Sequence, residues 1–295
     1  MTRSTVLCAV TAFQPEAELL DKLLATLLDD GSSVAILVDG PVGTAIDEDL
    51  LRRLETEPRL DVLRSESNRG VGCALNRLAH HARNRGCSHV LFFDQDSGPP
   101  RGLAQDLLGV FEALVSAGLH PAVVGALPIR PGGEDANQPP RYKVRGATAL
   151  EGVFATDFVI TSGSLVGLSA LDAVGPFRED YHIDAIDTEW CFRAIERGFG
   201  VFVAGDVAMP HRVGHGTVRV GPLRFPLQSQ ERMLTYIRNQ AHSLRLSHVP
   251  WRWKLRVAVY LPLQSASWLL TGHGDRRSPA RFLKAFVDGL RGRFG

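Results

Sequence analysis

The stretch LFFDQDSGPP, residues 91–100, joins an apolar run to two aspartates and a turn rich in glycine and proline. Short apolar runs bounded by turn residues are typical of buried β-strands. Comparable runs occupy residues 5–10, 34–38 and 60–63, and helical patterns lie between them. The run 89–93 is therefore predicted to be the fourth strand of a β-α-β-α-β-α-β series. That order favours an α/β fold, in which helices cover both faces of a mainly parallel sheet.

The two aspartates of this stretch, Asp94 and Asp96, are predicted to follow the strand directly. Ligands of such sheets bind in the crevice beyond the carboxyl ends of the strands. Two carboxylates on one short turn can share Mg²⁺ or Mn²⁺, and the same cation can bind diphosphate oxygens. The alternative is a structural Asx turn, which is common where a strand ends. The position in a β-α series favours the metal site.

The chain after this turn continues the α/β pattern. Its apolar periodicity predicts helices at 102–117 and 187–197 and strands at 122–127, 158–166 and 200–204. Residues 130–152 are rich in Gly, Pro and charged residues. Because a structureless segment of this length is uncommon inside a compact domain, we expect a mobile binding loop there.

A further acidic cluster lies in YHIDAIDTEWCFRAIERG, residues 181–198. Asp184 and Asp187 are spaced i, i+3 at the predicted start of a helix, so both can face the same side. Either carboxylate can cap the helix, and the positive end of the helix dipole favours the ionised form. An ionised and positioned carboxylate is also what a general base requires. The segment therefore has two interpretations, a helix cap or a catalytic base.

Two histidines, His211 and His215, lie in MPHRVGHGT, residues 209–217, just after a predicted strand. A neutral imidazole can be a further ligand of a metal ion held by carboxylates. The alternative is a solvent-exposed loop histidine without a ligand.

Charge is unevenly distributed along the chain. Residues 1–206 carry 18 basic and 29 acidic side chains, whereas residues 207–295 carry 15 basic and 3 acidic. Helical patterns in the second part cover residues 228–246, 253–270 with a break at Pro262, and 279–290. We therefore predict two domains, an α/β domain at 1–215 that carries the acidic motifs and a basic helical region at 216–295.

The last predicted helix is amphipathic and basic. Phe282, Leu283, Phe286, Val287 and Leu290 lie on one side of it, and arginines and a lysine face the other. One interpretation is a helix that packs its apolar side on the main domain. The other is docking on an anionic membrane, to which Trp251, Trp253 and Trp268 are suited. Nucleic acid is a rival partner for a basic region, but no motif for binding it is present.

Other classes of protein fit the sequence less well. A nicotinamide dehydrogenase is disfavoured because TAFQPEA, not GxGxxG, follows the first strand. A nucleotidyltransferase usually has a Gly-rich basic loop at that point, which is also absent. The four cysteines lack metal-like spacing and are expected to be reduced, as in the cytoplasm. No signal peptide or membrane-spanning segment is predicted.

The motifs together resemble the family 2 inverting glycosyltransferases of the GT-A fold, which is Rossmann-like, and in particular bacterial rhamnosyltransferases. The resemblance covers about residues 5–240. It rests on AVTAFQP, VDG, NRGVGCALNRL, FFDQDS, TSGSLV, IDAIDTEWCFRA, PHRVG and YIRN, which occur in this order along the chain. FFDQDS, IDAIDTEWCFRA and YIRN are the specific members of this set.

The resemblance implies roles for individual residues. Asp187 is expected to be the catalytic base. The residues implied at the nucleotide are Thr11, Asp39, Asn68, Gly70, Gly72 and Asp94. The implied metal ligands are Asp94, Asp96 and His211, and the implied acceptor-binding residues are Ser162, Trp190 and Arg238.

The implied reaction is transfer of a sugar, first L-rhamnose from dTDP-L-rhamnose, to a glycan or polyprenyl-diphosphate-linked acceptor. Mg²⁺ or Mn²⁺ is the expected cofactor, and the setting is cell-surface polysaccharide synthesis, such as O-antigen, on the inner face of the membrane. The alternatives are another hexosyl- or galactofuranosyltransferase that uses a UDP- or GDP-sugar, and a catalytically silent protein that binds sugar nucleotides.

Overall fold

The first half of the chain forms a parallel βα series, as its sequence predicts. The computed structural model describes residues 5–130, 139–211, 217–220, 223–226, 228–270 and 275–294. The first four strands are β1 (Val6–Ala12), β2 (Ser33–Asp39), β3 (Leu60–Ser65) and β4 (His89–Asp94). The helices that follow them are α1 (Ala17–Asp29), α2 (Glu48–Glu55), α3 (Val71–Asn84) and α4 (Leu103–Ser116). All four strands are parallel, with β1 paired to both β2 and β4.

The second half converts the sheet into a mixed one. Its elements are β5 (Pro121–Ile129), β6 (Val144–Ala147), β7 (Val153–Thr156), β8 (Ser164–Gly167), α5 (Leu168–Val174), α6 (Ile186–Glu196) and β9 (Gly200–Pro210). The nine strands lie in the order β3-β2-β1-β4-β8-β5-β9-β7-β6. Strand β8 runs antiparallel to both β4 and β5, and β7 runs antiparallel to β9. A separate hairpin contains β10 (Thr217–Val220) and β11 (Leu223–Pro226).

Two sequence predictions in this half were wrong. The predicted strand at 158–166 begins only at Ser164, because Gly163 has a φ of 76° and turns the chain. The Gly163 amide donates a hydrogen bond to the Phe92 carbonyl. The expected mobile loop at 130–152 contains β6, which pairs with β7 instead of lying free. Residues 131–138 of that loop lie outside the described residues.

Apolar cores cover both faces of the sheet, so the predicted layer order is confirmed. Phe93 points into a cluster with leucines of α1, α2 and α4, and Phe92 points into a second cluster with α3, α5 and α6. Adjacent residues of one strand thus bury large rings on opposite faces, as sheets covered on both sides require. Complete burial of one such ring contributes about 1.5–3 kcal/mol. The two rings hold β4, and with it Asp94, at the centre of the molecule.

The C-terminal part forms three helices with a small core of their own. They are α7 (Gln230–Ser243), α8 (Trp251–Leu270) and α9 (Ser278–Arg291). Their shared core includes Met233, Ile237, Leu261, Trp268 and Phe282. Pro262 lies inside α8 without ending it, contrary to the expected break. Burial of Leu261 before it and Trp268 after it keeps the helix continuous despite the lost hydrogen bond.

Helix α9 packs against α7, so the packing interpretation of this helix is correct, although its partner is α7 and not the main domain. Its buried residues are Phe282, Ala285 and Gly289, whereas Leu283 is 65% exposed. The helices approach so closely that a Cβ on Gly289 would collide with the Arg238 carbonyl oxygen. The buried side is narrower than predicted, because Leu283 and Leu290 are exposed. None of the helices in the described residues is long and apolar enough to cross a bilayer.

Candidate functional site

The acidic pair of the opening motif lies where the central parallel strands end. Asp94 is the last residue of β4 and pairs with Thr11 of β1. Asp94 is half-buried and Asp96 is exposed in the turn that follows. The turn is held by the Phe13 amide, which donates to Gln95 Oε1 at 2.7 Å, and by the Ser97 amide, which donates to the Asp94 carbonyl at 3.1 Å.

The structural interpretation of this pair as an Asx turn does not describe it. Among the described residues, neither the Asp94 nor the Asp96 carboxylate has a hydrogen-bond donor. The pKa of Asp94 is raised to about 6, chiefly by burial and also by the nearby charge of Asp96, while Arg232 of α7 acts in the opposite direction. Two uncapped carboxylates side by side are unfavourable unless a cation joins them. The described residues thus give neither carboxylate a part in stabilising the strand end, and both stay candidates for binding a ligand.

Asp187 lies in the first turn of α6, beside the same pair. The Thr188 amide donates to its Oδ1 at 2.7 Å, and the Thr188 hydroxyl lies 3.3 Å from the same atom. The pKa of Asp187 is raised to about 6, chiefly by burial and also by the charges of Asp94 and Asp184, although the two hydrogen bonds from Thr188 act in the opposite direction. The net shift of the Asp187 pKa is therefore upward and is dominated by burial, whereas the expected effect of the helix dipole alone would lower it.

Helix capping by either acid of this segment is also wrong for the described structure. The N-cap position is Ala185, with a φ of 65° and no side-chain cap. Asp184, also at a φ of 65°, lies before the helix and accepts hydrogen bonds from Arg232 at 2.8 and 3.2 Å. The two acids thus have separate partners, and Asp187 is left facing Asp94.

The turn that precedes α6 is fixed from α7 by one buried amide. Asn239 is fully buried, and its Nδ2 lies 2.9 Å from the Tyr181 carbonyl oxygen, 2.8 Å from that of Ile183 and 3.1 Å from that of Asp184. Tyr181 is also held by His242, because its hydroxyl lies 3.0 Å from Nδ1 of that ring. The last residue of the YIRN motif therefore sets the backbone from which Asp187 projects.

His211 follows β9 and completes the cluster. Its amide donates to the Ile129 carbonyl at 3.0 Å, and its half-buried ring lies near Asp96 and Asp187. Burial lowers the pKa of His211, while the two carboxylates act in the opposite direction. A neutral imidazole is therefore available beside the acidic pair near pH 7. His215 lies outside the described residues.

The donor set of this cluster suits a divalent cation. Two aspartates and one neutral imidazole supply oxygen and nitrogen atoms of the kind that Mg²⁺ and Mn²⁺ take. The Arg232 guanidinium offsets only part of the mutual repulsion of Asp94 and Asp96, because the pKa of Asp94 stays raised. In the part of the chain that the structure describes, no group of three or more His, Cys, Asp or Glu side chains is arranged so that it could hold a metal ion by itself. The residues fit a cation that is shared with a ligand better than one held by protein alone.

The residues expected at the nucleotide lie around the ends of β1 and β2. Thr11 is half-buried beside Asp94, and Asp39 is buried at the end of β2. The Asp39 carboxylate accepts hydrogen bonds from the amides of Arg69 at 2.9 Å and Gly70 at 2.7 Å. Asn68 Oδ1 also accepts from the Gly70 amide, at 3.1 Å. These polar side chains organise the start of α3 at the edge of the crevice.

The two glycines of this segment have a packing role. Gly70 has a φ of 86°, and a Cβ there would collide with His182. A Cβ on Gly72 would collide with the Arg178 carbonyl oxygen. The segment 178–182 therefore packs directly on the backbone of α3, which is the physical reason for glycine at both positions.

The structure does not bring the three expected acceptor residues to the surface of the site. Ser162 is buried, and its hydroxyl lies 2.6 Å from that of Ser97, so it braces the acidic turn. Trp190 is 1% exposed, and its indole N–H donates to the Gly175 carbonyl at 2.9 Å. Arg238 lies over the Phe294 ring, 5.2 Å from its centroid. Acceptor binding by these three residues therefore stays a prediction, and the packing of Ser162 and Trp190 disfavours direct contact by their side chains.

Sequence reasoning missed two residues of the site. The Arg232 guanidinium donates a hydrogen bond to Asp184, which lies 48 residues earlier in the chain. Its charge also lowers the pKa of Asp94. Tyr142 accepts a hydrogen bond from the Ile160 amide at 3.1 Å, and its hydroxyl lies near Asp187, whose charge together with burial raises the pKa of Tyr142. No local pattern marks either residue, since both depend on how distant segments meet.

Comparison with known proteins agrees with this architecture. No protein-family model matches the chain. A dTDP-rhamnosyl transferase from Shigella flexneri is 24% identical over 294 residues, which cover 98% of this chain and 96% of that protein. S. aureus TarS in complex with UDP-GlcNAc has a TM-score of 0.61 at 16% identity, over 97% of this chain and 81% of that chain. GalNAc-T7 with UDP, GalNAc and Mn²⁺ has a TM-score of 0.64 at 11% identity, over 98% of this chain and 56% of that chain.

The solved structures establish the fold alone. In a further TarS structure, this chain spans about half of the TarS chain, or 49%. The mixed nine-stranded sheet and the structural neighbours define a GT-A glycosyltransferase fold. With the full-length similarity to the Shigella flexneri protein, the chain is a glycosyltransferase that resembles rhamnosyltransferases.

Proposed function

We propose that the chain transfers L-rhamnose from dTDP-L-rhamnose to a hydroxyl group of a glycan, with inversion at the anomeric carbon. The observation that supports this is the cluster at the carboxyl end of β4. Asp94, Asp96, Asp187 and His211 lie within electrostatic reach of one another there. The cluster supports the proposal because a single displacement needs a base and a diphosphate site close to each other.

Asp187 acts as the general base in this proposal. Its carboxylate takes the proton of the acceptor hydroxyl while that oxygen forms a bond to the anomeric carbon. The bond from the anomeric carbon to the diphosphate breaks, and the leaving group takes the electron pair. Because burial raises the pKa of Asp187 to about 6, the group is mostly ionised at neutral pH yet basic enough to accept a proton.

Asp94 and Asp96 would hold Mg²⁺ or Mn²⁺, with His211 as a further ligand. When bound, the cation supplies positive charge beside the departing diphosphate. Arg232 adds a fixed positive charge next to Asp94, and its bonds to Asp184 keep its guanidinium in place. Thr11, Asp39, Asn68 and the α3 glycines are proposed to border the nucleotide, chiefly through the backbone that they organise.

The donor proposal rests on similarity to the Shigella flexneri dTDP-rhamnosyl transferase along nearly the whole chain. The TarS and GalNAc-T7 structures contain UDP or a UDP-sugar, so a UDP- or GDP-sugar is the alternative donor. The acceptor is proposed to be a glycan or a polyprenyl-diphosphate-linked glycan of a surface polysaccharide. The enzyme would then work at the cytoplasmic face of the membrane, with its basic C-terminal helices towards the lipid.

Donor choice can be tested by thermal unfolding with dTDP-rhamnose, UDP-glucose, UDP-galactofuranose and GDP-mannose, each with Mg²⁺ or Mn²⁺. A ligand at 100 times its Kd stabilises the folded chain by about 2.7 kcal/mol. We expect the largest stabilisation from dTDP-rhamnose. A larger effect of a UDP- or GDP-sugar would replace the proposed donor with that sugar.

Catalysis can be tested by following release of dTDP from dTDP-rhamnose. We expect Asp187→Asn to bind the donor normally and to lose about 10² to 10⁴ in turnover. Asp106→Asn, on the exposed side of α4, is the matched control and should retain turnover. Wild-type turnover in Asp187→Asn would remove this residue from the role of base. Donor binding without turnover in the wild-type chain would favour the silent binding protein instead.

Metal dependence has a separate test. Excess chelator should abolish turnover, and Mg²⁺ or Mn²⁺ should restore it. Asp96→Ala should require a much higher metal concentration. Full activity in chelator would show that the acidic pair acts without a metal ion.

A further inference from the structure

The outer side of α8 is an unusual concentration of exposed apolar residues. Of the twelve exposed large apolar side chains in the described residues, six lie on this helix of 20 residues. Five of them lie within about one third of the helix circumference, given 100° per residue. These five, which we call the α8 apolar face, are Trp251 (68% exposed), Leu255 (57%), Val259 (52%), Leu263 (45%) and Leu270 (82%). The face is about 28 Å long at 1.5 Å per residue.

The opposite side of α8 is fixed to the catalytic region. Trp253 packs edge-on against Phe158 and Phe192, with ring centroids 5.5 and 5.2 Å apart. Phe158 in turn packs on Tyr142, whose hydroxyl lies near Asp187. The α8 apolar face is therefore on the outside of a helix whose inner side packs on aromatic residues close to Asp187.

The charges of α8 are all positive. Arg252, Lys254 and Arg256 lie in its first two turns, and the helix contains no acidic residue. Arg252 and Arg256 are exposed, and each lies over an aromatic ring, with Arg252 5.6 Å from the Trp251 centroid and Arg256 5.0 Å from that of Trp253. An apolar face bordered by arginines and tryptophan is the pattern of a helix that lies in the surface of an anionic bilayer.

A second copy of the chain fits this face poorly. In a parallel pair Arg252 and Arg256 of both copies would face each other, and in an antiparallel pair they would face the apolar end of the partner helix; in neither arrangement does α8 supply them with a carboxylate. A lipid surface supplies both the apolar layer and the negative charge. Of the rings expected to dock, only Trp251 is available, because Trp268 is 4% exposed and Trp253 packs inward.

We infer that the α8 apolar face docks on an anionic bilayer, with Trp251, Leu255, Val259, Leu263 and Leu270 in the interface and Arg252 and Arg256 at the phosphates. This inference deepens the proposed function, on which it rests for the lipid-linked acceptor. Docking would orient the acceptor side of the site towards the bilayer.

The test uses the full chain and vesicles of phosphatidylcholine with 30% phosphatidylglycerol. We expect the wild-type chain to co-sediment with these vesicles, and much less with phosphatidylcholine alone or in 0.5 M salt. The double variant Leu255→Asp/Val259→Asp should bind at least tenfold more weakly. Val115→Asp, on α4 and also 52% exposed, is the matched control and should bind like the wild type. Leu283→Asp on α9 should also bind normally, because α9 does not carry this face.

Three results would overturn the inference. They are failure of the wild-type chain to bind anionic vesicles, unchanged binding of the double variant, and a dimer in sedimentation velocity that the double variant dissociates. If the double variant does not fold, docking is tested by quenching of the wild-type tryptophan fluorescence by brominated lipid. Trp251→Phe should remove most of this quenching. Unchanged quenching in that variant would also refute docking by α8.

Release of dTDP without vesicles is measured on the same samples. A double variant that has normal release and weak vesicle binding separates docking from catalysis. Normal docking with no release from any sugar nucleotide would contradict the proposed function alone.

Discussion

Replacing Asp187 with asparagine should stabilise the metal-free protein while it abolishes catalysis. Burial moves the pKa of this carboxyl from 3.8 to about 6, so the folded chain holds the proton more tightly than the unfolded chain does. The stability that comes from this carboxyl is complete below pH 4 and is lost as pH rises through 6. One pKa unit corresponds to 1.36 kcal/mol, so the ionised carboxylate costs up to about 3 kcal/mol at pH 8. Asparagine carries no charge to bury, and its oxygen can still accept the Thr188 amide hydrogen bond.

The assay is urea unfolding in chelator at pH 4, 6 and 8. Asp187→Asn should exceed the wild type by up to about 3 kcal/mol at pH 8, by less at pH 6 and by almost nothing at pH 4. Glu66→Gln, an exposed side chain after β3, should change the unfolding free energy by less than about 0.5 kcal/mol at every pH. The two proteins could instead have the same free energy of unfolding at pH 8, or differ by the same amount at every pH. Either result would refute the explanation that ionisation of the buried Asp187 destabilises the wild type.

Three further predictions concern pH, the turn before α6 and the fit of α3. With metal present, kcat/KM should rise with pH and level off above about 6, because Asp187 must be ionised to accept a proton. A flat kcat/KM profile from pH 5 to 8 would contradict this. Asn239→Ala removes the donor of three hydrogen bonds to carbonyl groups and should lower the free energy of unfolding by about 1–3 kcal/mol. It should also lower kcat. Unchanged urea unfolding and unchanged kcat would show that Asn239 does not hold the turn before α6. Gly72→Ala should destabilise the folded chain, because the added Cβ collides with the Arg178 carbonyl. Gly109 on α4 has open space around it, so Gly109→Ala should stabilise the folded chain by about 0.5–1 kcal/mol. Equal unfolding midpoints of the two glycine variants would show that α3 and the 178–182 segment are not in close contact.

The first half of the fold was predictable because its information is local. Each of the strands β1 to β4 is an apolar run bounded by turn residues, and the leucines of α1 repeat on one side of a helix. The position of Asp94 followed from the same reasoning, since parallel strands end at a common edge. The mixed second half was less predictable. Strand β8 has only four residues, and it runs antiparallel because of its place between β4 and β5, which no short window of sequence records.

The site shows a similar division. The identities of Asp94, Asp96 and Asp187 came from motifs, but the raised pKa of Asp187 comes from burial by distant segments and opposed the expected helix-dipole effect. Arg232 reaches Asp184 across 48 residues of chain, so no spacing rule could have found it. Trp190 and Ser162 lie inside motifs, yet the structure uses them for packing and for bracing the acidic turn.

The buried amide of Asn239 makes the C-terminal helices inseparable from the chemistry of the first part of the chain. A chimera in which residues 207–295 come from another glycosyltransferase would lose the hydrogen bonds that Asn239 donates to the turn before Asp187. Acceptor preference could then be transplanted only if residues 181–184 travelled with the new helices, as one matched piece.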